Sequence, residues 1–229
     1  QERGQGGPTG LDQLRNADRI GLRPCEAQEQ QPNSGHGTAG KSDRMNWRQQ
    51  QTDQTYAFAR KHMTRFGIAI DIGCDEFAIT GHLAREFQHI HCFDFRNKYH
   101  MINKHVEDPT RVTFYHTALG ETNSIRYSKS GVGRIKSEQP HGNITMPIKV
   151  RTLDSYNIRD VDFIKIDVEG YEPRVLEGGM ETIERYSPAI LCEINQGDFS
   201  ARKILESIGY KCVDVYLKEG TPHDYMFVR

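Results

Sequence analysis

The chain has 229 residues, with 30 Lys and Arg against 31 Asp and Glu and a formal net charge of −1. Its length suits one domain of ordinary size with a tail. A nearly neutral chain lacks the basic excess that neutralises phosphates, so no nucleic-acid partner is expected. No apolar run approaches the roughly 20 residues that cross a bilayer, so no membrane span is predicted.

The five cysteines are odd in number, and no two of them form a Cys-x-x-Cys pair. Cys92, Cys192 and Cys212 fall within apolar runs, where buried thiols are usual. This use of cysteine indicates a reducing compartment, and we expect a cytoplasmic protein.

Residues 1–44 differ in composition from the rest, with frequent Gln, Gly and Arg, few aliphatic residues and no hydrophobic period. Such a segment cannot bury enough apolar surface to offset its ordering entropy, so it predicts a disordered tail before a domain at 45–229. We interpret it as a leader, part of something longer, or upstream sequence read through. Within it, Gly35 to Ser42 fits the phosphate-loop pattern, but no strand can be read before it, so we expect no nucleotide loop there.

From residue 46 onward, strand and helix patterns alternate. Helices are predicted at 46–63, 77–87, 98–105, 172–186 and 199–208. Strands are predicted at 66–73, 90–95, 112–117, 145–151, 161–166, 189–194, 211–217 and 224–228, with a long loop or loose hairpin at 121–143. This alternation predicts a three-layer α/β domain with right-handed crossovers.

Acids stand where several predicted strands end. Gly73 closes a turn after the first strand, and Asp94 follows about 20 residues later, the separation at which an acid reaches ribose hydroxyls in a dinucleotide fold. Asp167 and Glu169 follow the apolar strand at 161–166. Since ligands bind at the carboxyl ends of strands in open α/β sheets, these acids predict a ligand site. Alternatively, Asp167 caps a helix and Glu169 is merely solvated.

Several motifs together carry a family resemblance: Asp71-Ile-Gly73, Phe93-Asp94, Ala118-Leu-Gly120, Thr152-Leu-Asp154, Ile164-Lys-Ile-Asp167-Val-Glu169-Gly170-Tyr-Glu172 and Tyr186-x-Pro188-Ala-Ile-Leu-Cys-Glu193. Over roughly residues 66–215 the chain resembles the FkbM family of S-adenosylmethionine-dependent methyltransferases. The resemblance implies a Rossmann-like, seven-stranded methyltransferase fold with the last strand inserted antiparallel. It also implies S-adenosylmethionine as cofactor and O-methylation of a hydroxyl on a sugar or other small metabolite.

The resemblance further implies roles for individual residues. Asp94 would accept the ribose hydroxyls, Ala118 would face the adenine, and Asp167 would lie beside the sulfonium and the acceptor. The residues assigned to the cofactor are Asp71, Gly73, Cys74, Asp75, Phe77, Asp94, Phe95, Ala118, Leu119 and Asp167.

An alcohol acceptor must lose its proton, and a positioned base contributes about 10²–10⁴-fold to such a step. Asp167, Glu169 and His116 are the candidate bases, and Glu193 is predicted to face the acceptor. Glu169 could instead be a helix-entry acid, and His116 a structural histidine. Three of these acids, Asp167, Glu169 and Glu193, could also hold Mg²⁺ or Ca²⁺, but acids at strand ends have other uses and we predict no metal.

One residue departs from the family pattern. A second glycine usually stands about where this chain has Phe77, and a phenyl ring there would keep backbone from approaching the cofactor. This motivates an alternative function, a methyltransferase-like domain that binds a nucleoside or a partner with little or no turnover. In the same turn, Asp75 and Glu76 either hold the cofactor's amino group or stabilise the start of the following helix.

Overall fold

A computed structural model of the chain describes residues 41–130 and 133–229, with side chains described from residue 47 onward. The predicted tail and the phosphate-loop pattern therefore lie outside the described residues, apart from the last few, which belong to the first helix.

Helices and strands alternate along the described part of the chain. The helices are α1 (Lys41–Arg60), α2 (Ala78–Glu86), α3 (Glu172–Glu177), α4 (Met180–Tyr186) and α5 (Ser200–Ser207). The strands are β1 (Ile68–Ile72), β2 (His89–Asp94), β3 (Val112–His116), β4 (Ala118–Leu119), β5 (Ser124–Ser128), β6 (Met146–Arg151), β7 (Val161–Ile166), β8 (Ala189–Glu193), β9 (Lys211–Lys218) and β10 (Thr221–Val228). Short 3-10 helices span Tyr99–Lys104, Pro109–Arg111 and Asp154–Tyr156.

Seven strands form the main sheet, in the order β3-β2-β1-β7-β8-β10-β9. The first five of these pair in parallel, and β10 runs antiparallel to both β8 and β9. The predicted Rossmann-like methyltransferase fold is confirmed, including the antiparallel insertion of the last strand. Strand order reverses between β1 and β7, which is where an open α/β sheet forms its ligand crevice.

Both faces of the sheet are buried. Ile70 and Ile164 belong to one apolar cluster, while Ala69 and Phe163, their neighbours along the same strands, belong to the other. Parallel strands covered on both faces read as continuous apolar runs, which explains why β1 and β7 were recognisable in the sequence. The charged residues within these two strands stand out against that background.

Three predicted segments differ in detail. The helix predicted at 172–186 is two helices, which are separated at Gly178 and Gly179. A Cβ atom on Gly178 would lie 2.0 Å from the Gly120 carbonyl oxygen, so the chain passes very close to the Gly120 backbone at this break. The helix predicted at 98–105 is a 3-10 helix. Within 121–143, β5 pairs with β6 in a second sheet of order β4-β6-β5, consistent with the hairpin alternative. No helix of the described part is long and apolar enough to span a bilayer.

Candidate active site

A crevice opens at the carboxyl ends of β1, β2 and β7 and encloses about 450 Å³, including its open mouth. Six of the ten residues predicted for the cofactor line it, and so does Glu169. The six are Gly73, Asp94, Phe95, Ala118, Leu119 and Asp167. The fold thus brings these six residues together from four separate segments of the chain.

The floor of the crevice is a glycine turn held against the end of β7. Gly73 has φ +78°, a left-handed conformation that favours glycine, and its N–H donates to the Phe93 carbonyl at 2.8 Å. The Asp167 N–H donates to the Ile72 carbonyl at 3.1 Å. These bonds fix the ends of β1, β2 and β7 relative to one another.

Asp94 ends β2 with its side chain only 3% exposed. Its carboxylate accepts the backbone N–H groups of Asp75 at 3.0 Å and Arg96 at 2.7 Å, and the Arg96 guanidinium at 3.3 Å. Arg96, which also lines the crevice, was not predicted from the sequence. The result is a fixed acid at the rim, in the position expected for a ribose-binding group.

Phe77 does not enter the crevice. The residue is fully buried, and its ring meets those of Phe114 and Tyr99 edge to face at centroid distances of 5.5 and 6.3 Å. Its backbone nevertheless adopts φ +65°, the left-handed geometry that a glycine would take more easily. The ring therefore leaves the crevice open, and the reason for the alternative of an inert binding domain disappears.

Three other predicted cofactor residues also lie outside the crevice lining. Cys74 and Asp71 are buried, and Asp71 accepts a hydrogen bond from Thr80 Oγ1 at 2.6 Å. Asp75 pairs with Lys98 and with Arg96 rather than facing the crevice. Their contribution to the site is the shape of the glycine turn.

The turn after β7 is held by a buried acid. Glu172 is 3% exposed, and its Oε1 accepts the N–H groups of Val168 and Gly170, each at 3.0 Å. Burial raises the pKa of Glu172. Glu169 lies on the turn that the Glu172 carboxylate holds. It is exposed and has a φ of +59°.

Asp167 has a side chain that is 42% exposed and faces the crevice. Its Oδ2 lies 3.5 Å from Nζ of Lys165, a buried lysine that the sequence prediction did not include. Burial opposes ionisation of Asp167, but the Lys165 charge and hydrogen bonding from Glu193 outweigh it and hold the pKa of Asp167 below its usual range. Asp167 is therefore an anion at neutral pH.

Glu193 ends β8 beside Asp167 and forms a second charged group with His223 and Asp224. Its carboxylate lies 3.0 Å from His223 Nε2, and His223 Nδ1 lies 3.2 Å from Asp224. Burial and the nearby Asp167 raise the pKa of Glu193 to about 7, and hydrogen bonds that His223 donates to Asp224 and Glu193 raise the pKa of His223 to about 10. Glu193 Oε2 is buried and has no hydrogen-bond partner among the described residues.

The third candidate base, His116, lies elsewhere. It is exposed, its Nε2 is 2.8 Å from the Phe95 carbonyl, and it does not line the crevice. Within the described ranges, no group of three or more His, Cys, Asp or Glu side chains is arranged to hold a metal ion.

The segment after β4 completes the crevice through Gly133 and Ile135. It is joined to the β7 turn by Arg126, which donates to Glu121 at 2.7 Å and to the Tyr171 hydroxyl at 3.3 Å. Tyr171 lines the crevice too. A salt-bridged arginine on β5 thus connects this segment to the turn that follows Asp167.

A reversed strand order, an antiparallel inserted strand, a glycine turn and an acid ending β2 together define a Rossmann-like methyltransferase. A family model described as "Methyltransferase FkbM domain" matches residues 27–212, and the chain belongs to that family. The methyl donor of the family is S-adenosylmethionine. No curated protein matches the chain significantly.

Solved structures share this fold. The FkbM methyltransferase from Methylobacillus flagellatus KT has a TM-score of 0.54 and 18% identity, over 73% of this chain and 46% of that one. This chain thus spans less than half the length of that protein. A protein of the NADB-Rossmann superfamily from Streptococcus agalactiae has a TM-score of 0.52 and 10% identity, over 76% and 67% of the two chains. TrmK from M. capricolum, in complex with S-adenosylhomocysteine, has a TM-score of 0.50 and 11% identity, over 78% and 66%.

Proposed function

We propose that this protein binds S-adenosylmethionine in the crevice and transfers its methyl group to a hydroxyl of a sugar or other small metabolite. The observation that carries the proposal is the convergence of Gly73, Asp94, Ala118 and Asp167 on one crevice at the reversal of strand order. The family supports methyl transfer, and the hydroxyl acceptor is what the family resemblance implies.

The residues present fit the cofactor. Gly73 lets the turn pack against the Asp167 backbone while lining the crevice, and the Asp94 carboxylate at the end of β2 would accept ribose hydroxyls. Phe95 and Leu119 offer apolar surface on which the adenine ring of the cofactor can lie. Asp167, ionised and facing the crevice, suits a positively charged sulfur.

Bound there, S-adenosylmethionine supplies an electrophilic methyl group on a positively charged sulfur. Transfer of that methyl group to an acceptor oxygen would break the carbon–sulfur bond and leave a neutral thioether. Asp167 takes the hydroxyl proton in this proposal, with Glu169 as the other acid within reach of the mouth. Glu193, which was predicted to face the acceptor, does not line the crevice; it interacts with Asp167 and would receive the proton from it afterwards.

The charge of the crevice favours a small neutral acceptor. Asp167 and Glu169 flank the mouth, and Arg96 is already engaged by Asp94. Phosphates of a nucleic acid would be repelled by the two acids. We therefore propose a hydroxyl compound rather than RNA or DNA as acceptor, and the cytoplasmic location expected from the cysteines stays a prediction.

The test is transfer of labelled methyl from S-adenosylmethionine to a panel of sugars and hydroxylated metabolites, with tRNA as a further arm. Asp167→Asn is expected to lower the turnover rate by about 10²–10⁴-fold. Its matched control is Asp160→Asn, since Asp160 is an exposed acid at the other end of β7. Equal rates for wild type and Asp167→Asn would remove Asp167 from the chemistry. Transfer to tRNA alone would overturn the acceptor class.

A further inference from the structure

A lysine buried beneath the crevice is an unexpected component of β7. Lys165 is 7% exposed within a mostly apolar strand, and a buried lysine is costly unless its ammonium is paired. Its Nζ donates to the Gly73 carbonyl at 2.7 Å and lies 3.4 Å from Asp71 Oδ1 and 3.5 Å from Asp167 Oδ2. The ammonium thus makes one hydrogen bond and two ion pairs, and Asp71 Oδ1 has no hydrogen-bond partner among the described residues.

The three charged side chains, Asp71, Lys165 and Asp167, differ in how far they are exposed. Asp71 is fully buried and pairs in register with Lys165 on the neighbouring strand, so its charge is cancelled locally. Asp167, by contrast, has a side chain that is 42% exposed and lines the crevice. Two carboxylates and one ammonium sum to a net charge of −1, and this negative charge lies on Asp167.

Because Lys165 contacts both Gly73 and Asp167, the same ammonium links the cofactor turn to the acid opposite it. Burial of Asp167 favours its neutral form, whereas the Lys165 charge, hydrogen bonding with Glu193 and the His223 charge favour its ionised form. Glu172 also lies within its electrostatic range. Among these groups, the Lys165 charge is the strongest influence that keeps Asp167 ionised.

We infer that Lys165 is a positioning residue that keeps Asp167 ionised toward the sulfonium, so that the crevice distinguishes the cationic methyl donor from its neutral product. S-adenosylmethionine carries a positive sulfur, and S-adenosylhomocysteine carries a neutral thioether. Their affinity ratio therefore reports the charge beside the sulfur, whereas a loss of packing would weaken both ligands alike. The inference rests on the proposed cofactor site.

The experiment is calorimetric titration of the full chain with each ligand between pH 6 and pH 5, a range in which Glu193, with a pKa of about 7, is already mostly protonated. For the wild type, the ratio of the two dissociation constants is expected to stay constant, because Asp167 remains ionised. The test variant is Asp71→Asn combined with Lys165→Met, which removes both members of the buried pair and leaves no unpaired charge in the core. In this variant, Asp167 takes up a proton on acidification and the preference for S-adenosylmethionine falls by about tenfold.

Two further variants sharpen the result. Lys165→Arg keeps the charge and is expected to keep the ratio independent of pH, even if overall affinity falls. Asp167→Asn is expected to lower the preference by a similar factor at every pH. A ratio that stays constant in the double variant, or affinities for both ligands that fall by one common factor, would overturn the role of Lys165. Failure of the wild type to bind either ligand would overturn the cofactor site as well.

Discussion

A Cβ atom on Gly73 would lie 1.8 Å from the carbonyl oxygen of Asp167, so the cofactor turn and the end of β7 touch backbone to backbone. Rotation of a side chain cannot relieve that contact, because one atom is a backbone carbonyl oxygen and the other is a Cβ atom bonded directly to the backbone. The closeness explains why a glycine is required at the turn and why the Asp167 position is so closely defined.

Gly73→Ala should therefore be severely destabilising. Gly220 is the matched control, since it has the same φ of +78° and open space around its Cβ position. We expect Gly220→Ala to cost about 1–2 kcal/mol for the left-handed backbone alone. Gly73→Ala should cost about 3 kcal/mol or more in the free energy of unfolding, measured in urea. Similar costs at the two sites would show that the turn can move away.

Asp94→Asn should weaken S-adenosylmethionine binding by about 10- to 100-fold, because hydrogen bonds to a charged group contribute about 1.5–3 kcal/mol. Asp108 is the matched control: it also accepts the N–H of the residue two positions on, at 3.1 Å, but lies outside the crevice. Calorimetry checks both variants. Unchanged affinity in Asp94→Asn would remove Asp94 from the ribose site.

Glu172 offers a test of the β7 turn. Glu172→Gln keeps an oxygen that can accept the Val168 and Gly170 N–H groups, and we expect a loss below about 1 kcal/mol. Glu172→Ala leaves both donors without that acceptor and should cost about 2–4 kcal/mol, with slower methyl transfer. Equal unfolding free energies for the two variants would mean that the carboxylate does not hold the turn.

His223 should make stability depend on pH. Its pKa is raised from 6.5 to about 10 by hydrogen bonds with Asp224 and Glu193, so the native state binds more protons than the unfolded state. Its stabilising effect is therefore fully present below pH 6.5 and is lost as the pH rises from 6.5 through 10. His223→Gln should lower the unfolding free energy most at pH 6 and hardly at all above pH 10.

Chemical denaturation across this pH range measures that difference. The exposed His100 supplies the control substitution, His100→Gln. A deficit in His223→Gln that grows with rising pH would contradict the pairing, and so would a deficit that His100→Gln reproduces.

Phe77→Gly restores the glycine usual in the family, yet it should not improve cofactor binding. The ring is fully buried against Tyr99 and Phe114, so its removal should cost about 3–5 kcal/mol, only partly offset by relief of the positive φ. Thermal unfolding and calorimetry are the measurements. A glycine variant with unchanged stability and tighter binding would mean that the ring obstructs the crevice.

The order of elements and most of the crevice were open to prediction from the sequence. Apolar strands buried on both faces leave continuous runs such as 161–166, and ligands in such sheets bind where the strands end. Gly73, Asp94 and Asp167 each stand directly at such an end, so their local position already indicated the site. The break at Gly178 and the pairing of β5 with β6 depend on close contacts between distant segments, which no local period records.

Side-chain direction was decided only by the tertiary structure. Phe77 and Asp71 stand in the right motif, but the fold turns both away from the crevice, because one side chain completes the core and the other pairs with Lys165. His223 and Glu193 are 30 positions apart and meet because β10 is inserted antiparallel beside β8. Lys165 is visible in the sequence as one of two charged residues, with Asp162, in the mostly apolar strand 161–166. Which groups Lys165 contacts depends on the register of β7 against its neighbouring strands, and that register is set only when the sheet assembles.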